Sequence, residues 1–344
     1  MTSAPRSPLP VSAAPLGGQR GVLGYLPGHS DLVRVRASSR EVRALESWLE
    51  RGLHQARWEM GGGFFTAYPR LWHRFIFRPD NSTQVVLGVL YASQDAHQRP
   101  FPFVAFELLP TQCWDQQGLA ILRWNEPLFA ELEALVHDVA ALPQLGQVHS
   151  RVLYAQTPLV SEPQTEPEAA LRSTARYQNF LDEVTCGELG PPGTGEAICG
   201  DLVTLLRGEG GGGRDPRSLR FAIELPLHRP ALARELELRF YLDLCSRLIA
   251  PARPTWTLFW KLGGPEAGSL TLCFREPTID VFCAILRPHG PSRGTLLPGR
   301  RGVGGSPAGA VAVSADLPLR RLLDSLTPAG SCIGENAAAP LRAP

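Results

Sequence analysis

The first sustained periodicity in the chain lies between residues 40 and 56. Val42, Leu45, Leu49, Leu53 and Ala56 recur at spacings of three and four, which places them on one face of an amphipathic helix. Ser38 is the expected N-cap, with Glu41 three residues on to complete a capping box. The triplet Gly61-Gly62-Gly63 is expected to stop the helix, and Trp48 sits beside its apolar stripe. Three strand-like stretches follow at 72–78, 84–91 and 102–108, the second an almost unbroken apolar run and the third opened by Pro102, where no ladder donor is needed. A second helix is expected over 127–141, with Pro127 in its first turn and Leu128, Leu132, Leu135, Val136 and Val139 facing inward. The strand connections are too short for crossovers. The pattern therefore predicts an α/β sandwich whose largely antiparallel sheet is flanked by helices.

Beyond residue 150 the signal weakens. Residues 151–170 read as a linker, followed by a helix over 168–184, a loop rich in Gly and Pro, and a glycine tip at 208–213. A strand at 219–225 precedes a long helix opened by Pro230 and reaching Ile249. Strands at 255–260 and 269–274 form the expected pair around Gly263-Gly264-Pro265, and Pro277 starts a short helix ending at Leu286. This organisation gives a disordered N-terminus (1–18), an α/β domain (19–150), a linker (151–170), a smaller C-terminal α/β region (171–290) and a mostly disordered tail (291–344) with one helical patch at 317–326.

Composition narrows the classes of function. The 344 residues suit two domains of ordinary size, and 44% hydrophobic content is enough for a core without staples. Thirty-four Lys+Arg against thirty-three Asp+Glu leave a net charge of +1, which supplies no field for gathering nucleic acid or anionic lipid. Lys261 is the single lysine, so Schiff-base catalysis and a phosphate-binding lysine have almost no candidate. Cys113, Cys186, Cys199, Cys245, Cys273, Cys283 and Cys332 stand singly, as incidental thiols of a reducing compartment do. Prolines occupy the N-terminal stretch where a signal peptide needs an apolar helix, and no apolar run approaches the ~20 residues of a membrane span. These features predict a cytoplasmic protein that neither binds nucleic acid nor inserts into a membrane.

The motifs that suggest catalysis fail on their own chemistry. Gly190-Pro191-Pro192-Gly193-Thr194-Gly195-Glu196-Ala197 has the outline of a nucleotide-binding loop, but Glu196 stands where a lysine should neutralise phosphate and Ala197 where a hydroxyl should meet magnesium. The eight histidines show neither HExxH nor close spacing to cysteines, and no GxSxG elbow is present. Neither a metal nor a cofactor is expected. Two polar clusters remain. One is Pro27, Gly28, His29, Ser30, Asp31 and Arg34; the other is Ser93, Gln94, Asp95, Ala96, His97, Gln98 and Arg99. Their carboxylates can brace turns by accepting backbone amides, or the two loops can form a shared recognition surface; a catalytic pair of His29 or His97 with Asp31 or Asp95 is the third reading.

These same clusters carry a resemblance. The segment from Gly21 to Arg34, GVLGYLPGHSDLVR, resembles the G-x-x-G-K-L-P-x-x-G-D-F-[VL]-x-R opening of the TagF (ImpM) family, accessory proteins of bacterial type VI secretion. The helix retains Trp48, and Tyr68, Trp72, Arg74 and Phe75 fit the family's tyrosine and W-R-F segment. Gly88 to Pro102, GVLYASQDAHQRPFP, is similar to G-V-x-x-P-S-x-D-x-x-G-R-x-F-P. The chain departs from the pattern at Tyr25 for Lys, Ser30 for Gly, Ala92 for Pro and Gln98 for Gly. A looser similarity to longer members spans 215–287. The resemblance implies a non-enzymatic post-translational repressor that binds a forkhead-associated scaffold or another secretion component; a structural accessory subunit is the alternative. It also implies that Pro27, Asp31, Arg34, Ser93, Asp95 and Arg99 organise the interaction region. Asp31 and Asp95 would fix loop backbone, and Arg99 would present its guanidinium fork either to a partner or to Asp31.

Overall fold

One mixed sheet collects strands from both halves of the chain: β1 (Gln19–Gly24), β2 (Val33–Val35), β3 (Trp72–Phe77), β4 (Gln84–Tyr91), β5 (Phe103–Pro110), β6 (Ala222–Leu227), β7 (Thr257–Lys261), β8 (Gly268–Cys273) and β9 (Thr295–Leu296). Their spatial order is β2-β1-β5-β4-β3-β7-β8-β6-β9. The computed structural model describes residues 18–111, 126–155, 167–207, 219, 221–249, 256–262, 268–287, 295–299 and 311–326. The expected disordered N-terminus up to Gly17 and the glycine tip at 208–213 lie outside them, as do Cys113, Cys332 and most of the tail.

Pairing is antiparallel from β2 through β8, wherever a register is defined, and parallel between β6 and β9. The register Arg74↔Trp260, Phe75↔Phe259 and Ile76↔Leu258 joins β3 to β7, so β3 is an interior strand. The strands predicted at 255–260 and 269–274 are therefore not the frame of a separate C-terminal domain. Residues 217–226 and 253–297 pack with the N-terminal half as one body, and the second body comprises 174–216, 227–252 and 298–344. The physical reason is that β3 would otherwise expose a row of unpaired amides, which the hairpin β7–β8 satisfies.

The helices are α1 (Arg40–Met60), α2 (Phe64–Ala67), α3 (Glu126–Ala140), α4 (Leu145–Leu153), α5 (Pro167–Glu183), α6 (Gly195–Arg207), α7 (Ala231–Leu248), α8 (Ile279–Leu286) and α9 (Leu319–Leu326). Ser39 rather than Ser38 caps α1: its hydroxyl accepts from the Val42 amide at 3.2 Å, so Glu41 falls in the first turn and completes no capping box. The glycine triplet stops α1 as expected, with Gly61 its C-cap, and then redirects the chain. Gly61 takes φ 50°, the triplet forms a 3-10 turn, and α2 follows directly.

Alternation along β3 assigns the two faces of the sheet. Phe75 and Phe77 point into the core beneath α1 and α8, with Trp48, Leu49, Phe106, Phe259 and Phe282. Trp48 stacks on Phe259 at 5.1 Å, meets Phe282 edge-on at 5.6 Å, and donates its indole N–H to the Thr278 carbonyl at 3.0 Å. A Cβ on Gly52 would lie 2.5 Å from the Phe282 Cβ, so glycine there permits the close crossing of α1 and α8. Arg74 points the other way, toward α3, where it donates to Glu133 at 2.8 Å and Glu126 at 2.6 Å and lies over the Phe129 ring. Buried Arg20 similarly bridges Glu107 and Glu131. Burial on both faces explains why β4 and β5 read as near-continuous apolar runs.

Candidate functional site

The two loops singled out from the sequence meet beside the ends of β1 and β5. Gly24 closes β1 with φ 136°, and any side chain there would collide with the Pro102 carbonyl. The following segment turns at Gly28, φ 84°, with the His29 amide donating to the Leu26 carbonyl at 3.1 Å. The β4–β5 connection is pinched by a bridge between Gln94 and Pro100 and by the Asp95 amide on the Arg99 carbonyl at 3.1 Å. Gln98, standing where the family pattern has glycine, adopts φ 61°.

Asp95 is the internal brace of this connection. Its carboxylate is buried, with one oxygen accepting the amides of His97 at 2.9 Å and Arg99 at 2.8 Å while the other accepts from the Arg99 Nε. Burial works against its charge, but the Arg99 amide and guanidinium and the His97 amide outweigh it and hold the carboxyl below its usual range. The Arg99 guanidinium continues outward: Nη2 donates to the Ser30 carbonyl at 3.0 Å, and the fork lies over the Tyr25 ring at 5.6 Å. Two more bonds tie the loops together, and a third fastens the second loop to Tyr68. Ser93 Oγ donates to the Tyr25 carbonyl at 2.6 Å, the Ala96 amide to the His29 carbonyl at 2.9 Å, and the buried Tyr68 hydroxyl to the Ser93 carbonyl at 2.7 Å. Burial raises the Tyr68 phenol far above its ordinary range, so it remains a donor at any physiological pH.

Ser93, Asp95 and Arg99 are thus brought together. Asp31 behaves differently from the expectation: it is exposed, accepts no hydrogen bond among the described residues, and reaches Arg99 through its field alone. The internal partner of Arg99 is Asp95. Pro27 is exposed on the same loop. Arg34 does not join the cluster, because its guanidinium grips Glu46 of α1. Sequence reading missed Tyr25 and Tyr68 as loop fasteners. Tyr25 replaces the family's lysine, and an aromatic face there accommodates the neighbouring arginine where an ammonium would repel it.

Two of the four residues of the hydrolase reading, Asp95 and His29, are engaged elsewhere. Both Asp95 oxygens face amides and a guanidinium instead of an imidazole, and His29 Nε2 sits 3.2 Å from the Leu142 carbonyl. Among the described residues no group of three or more His, Cys, Asp and Glu side chains is placed to hold a metal, and no helix is long and apolar enough to cross a membrane.

Residues 21–152 match the model of the TagF N-terminal domain, described as type VI secretion system-associated. The match is to this segment, which has the sequence of a TagF N-terminal domain. The chain is also similar to the crystal structure of PA0076 from Pseudomonas aeruginosa PAO1, with 19% sequence identity and a TM-score of 0.46 over 83% of this chain and 99% of that one. A comparison with curated proteins gave no match.

Proposed function

We propose that the protein is a cytoplasmic, non-enzymatic regulator that represses a type VI secretion apparatus by binding one of its protein components, a forkhead-associated scaffold being the leading candidate. The observation that carries this reading is the locked pair of loops within the TagF domain. Their polar groups are spent on holding backbone, which leaves a preorganised outer surface formed by Pro27, Gly28, Asp31, Gln94, His97 and Gln98. A surface of that kind favours binding, since little conformational entropy is lost when it docks.

The test is affinity capture from the native cytoplasm, comparing wild type with Asp31→Arg, a change at an exposed residue that accepts no internal hydrogen bond among the described residues. Recovery of a secretion component by wild type, lost with Asp31→Arg at unchanged melting temperature, supports the reading. Failure to recover any secretion component from cells assembling the apparatus contradicts it.

A further inference from the structure

Within the second body, two cysteines that look unrelated in sequence are packed together. Cys186 opens the 3-10 turn Cys186–Glu188, whose N-cap Thr185 and Glu188 form a capping box. Cys199 lies on α6, one turn beyond Gly195 and on the same face. Gly195 is jammed against this turn: a Cβ there would collide with the Cys186 carbonyl and lie 2.7 Å from the Leu189 carbonyl. The missing side chain lets α6 lie directly against the turn that carries Cys186, with Cys199 on the helix face that meets it. Both cysteines are fully buried and free.

We infer that Cys186 and Cys199 form a shielded dithiol that closes to a disulfide when the chain meets a hydroperoxide. The contact also polarises the pair. The Cys199 hydrogen bond holds the Cys186 thiol below its usual range, while the same bond and burial push Cys199 well above it. The backbone at Cys186 and Gly187 pairs directly with Leu317 and Ala315, so Cys186 is the thiol uncovered when that segment opens and is the attacking sulfur. Its thiolate displaces hydroxide from the peroxide, breaking the O–O bond and leaving a sulfenic acid. The Cys199 sulfur then attacks the Cys186 sulfur, the S–S bond forms, the S–O bond breaks, and hydroxide leaves with the Cys199 proton as water. Two thiols and one hydrogen peroxide become one disulfide and two waters.

The remaining described cysteines lack this arrangement. Cys245, Cys273 and Cys283 are pushed up to about 12, each chiefly by burial, and serve as internal controls. Residues 311–318 cover the pair: the Cys186 amide donates to the Leu317 carbonyl at 2.9 Å, the Gly187 amide to the Ala315 carbonyl at 2.8 Å, and a Cβ on Gly200 would lie 2.5 Å from the Val311 carbonyl. Oxidation thus proceeds through local opening of this strap and not by direct attack on the closed surface.

The experiment treats the reduced, native full-length chain with hydrogen peroxide, quenches with an alkylating agent and measures tryptic masses. No Lys or Arg separates Tyr177 from Arg207, so both cysteines fall in one peptide. The expected product is that peptide lighter by two hydrogen atoms and unalkylated, formed about tenfold faster than Cys245 loses its alkylatable thiol. In Cys199→Ser, the peptide should instead carry one oxygen on Cys186, trappable by a sulfenic-acid reagent. Recovery of the dialkylated peptide from the native chain while Cys245 or Cys273 is oxidised overturns the inference. So does a link that forms only after denaturation.

Discussion

Asp95 and Arg99 form an ion pair across four residues in which the carboxylate is sealed in the loop while the guanidinium is 58% exposed. The pair is asymmetric in role as well as in exposure. Asp95 organises the backbone of its own connection, and Arg99 transmits that order to the Ser30 carbonyl and the Tyr25 ring of the neighbouring loop. Because the folded Asp95 carboxyl lies below its unfolded value, its contribution to stability is fully present above the ordinary aspartate pKa of about 3.9 and is lost as pH falls through the folded value. Asp95→Asn should lower the melting temperature at pH 7 and flatten its decline below about pH 4. Melting curves from pH 2 to 7 check this. An unaltered slope in the acid limb would contradict the brace.

His73 controls a different window. It is fully buried on β3, neither ring nitrogen has a hydrogen-bond partner among the described residues, and burial with Lys261 nearby lowers its pKa to about 3. The unfolded chain takes up this proton below about 6.5, so stability rises with pH between about 3 and 6.5 and should fall by about 2 kcal/mol from pH 6.5 to 4.5. His73→Leu removes that dependence and two unsatisfied nitrogens, and is expected to stabilise the fold by about 1–3 kcal/mol at pH 5. Urea denaturation at pH 5 and pH 7 measures both effects.

Backbone conformation makes a third prediction. Gln98 carries a side chain at φ 61°, a conformation that costs an L-residue about 1–2 kcal/mol and glycine little. Gln98→Gly should therefore stabilise the protein, by about 0.5–1 kcal/mol after glycine's larger unfolded-state entropy is counted. A lower denaturation midpoint would mean that the Gln98 side chain makes contacts outweighing the strain.

At the crossing of α1 and α8 the sign reverses. Gly52→Ala puts a methyl group 2.5 Å from the Phe282 Cβ, and two helices must separate to admit it. A loss of about 1–3 kcal/mol is expected, read as a shifted urea midpoint with little change in slope.

The sequence made some of this legible and concealed the rest for identifiable reasons. The stripe from Val42 to Ala56 defined α1 because helix periodicity is local, and β3 and β4 appeared within a residue of their bounds. The pairing of β3 with β7 was not readable, since nothing in either strand names a partner more than 180 residues away. Helix α6 is masked in the sequence by the preceding Gly190-Pro191-Pro192-Gly193, although Ile198, Leu202, Val203 and Leu206 have helical spacing. In the site, the motif draws the eye to both Asp95 and Arg99, but i,i+4 spacing within a loop gives no reason to pair them with each other. Asp31 looked equivalent to Asp95 because composition cannot distinguish a carboxylate that meets three donors from one that faces water. Arg34 fits the motif, yet its partner Glu46 lies on α1, outside it.

The central claim is that the outer surface of the locked loops binds a type VI component. Quantitative capture from native cytoplasm, using wild type and Asp31→Arg chains of matched melting temperature, tests it most directly. The account predicts at least a tenfold loss of the captured component, about 1.4 kcal/mol or more of binding free energy, with the fold intact. Equal recovery by both chains would contradict it and place the interaction away from these loops.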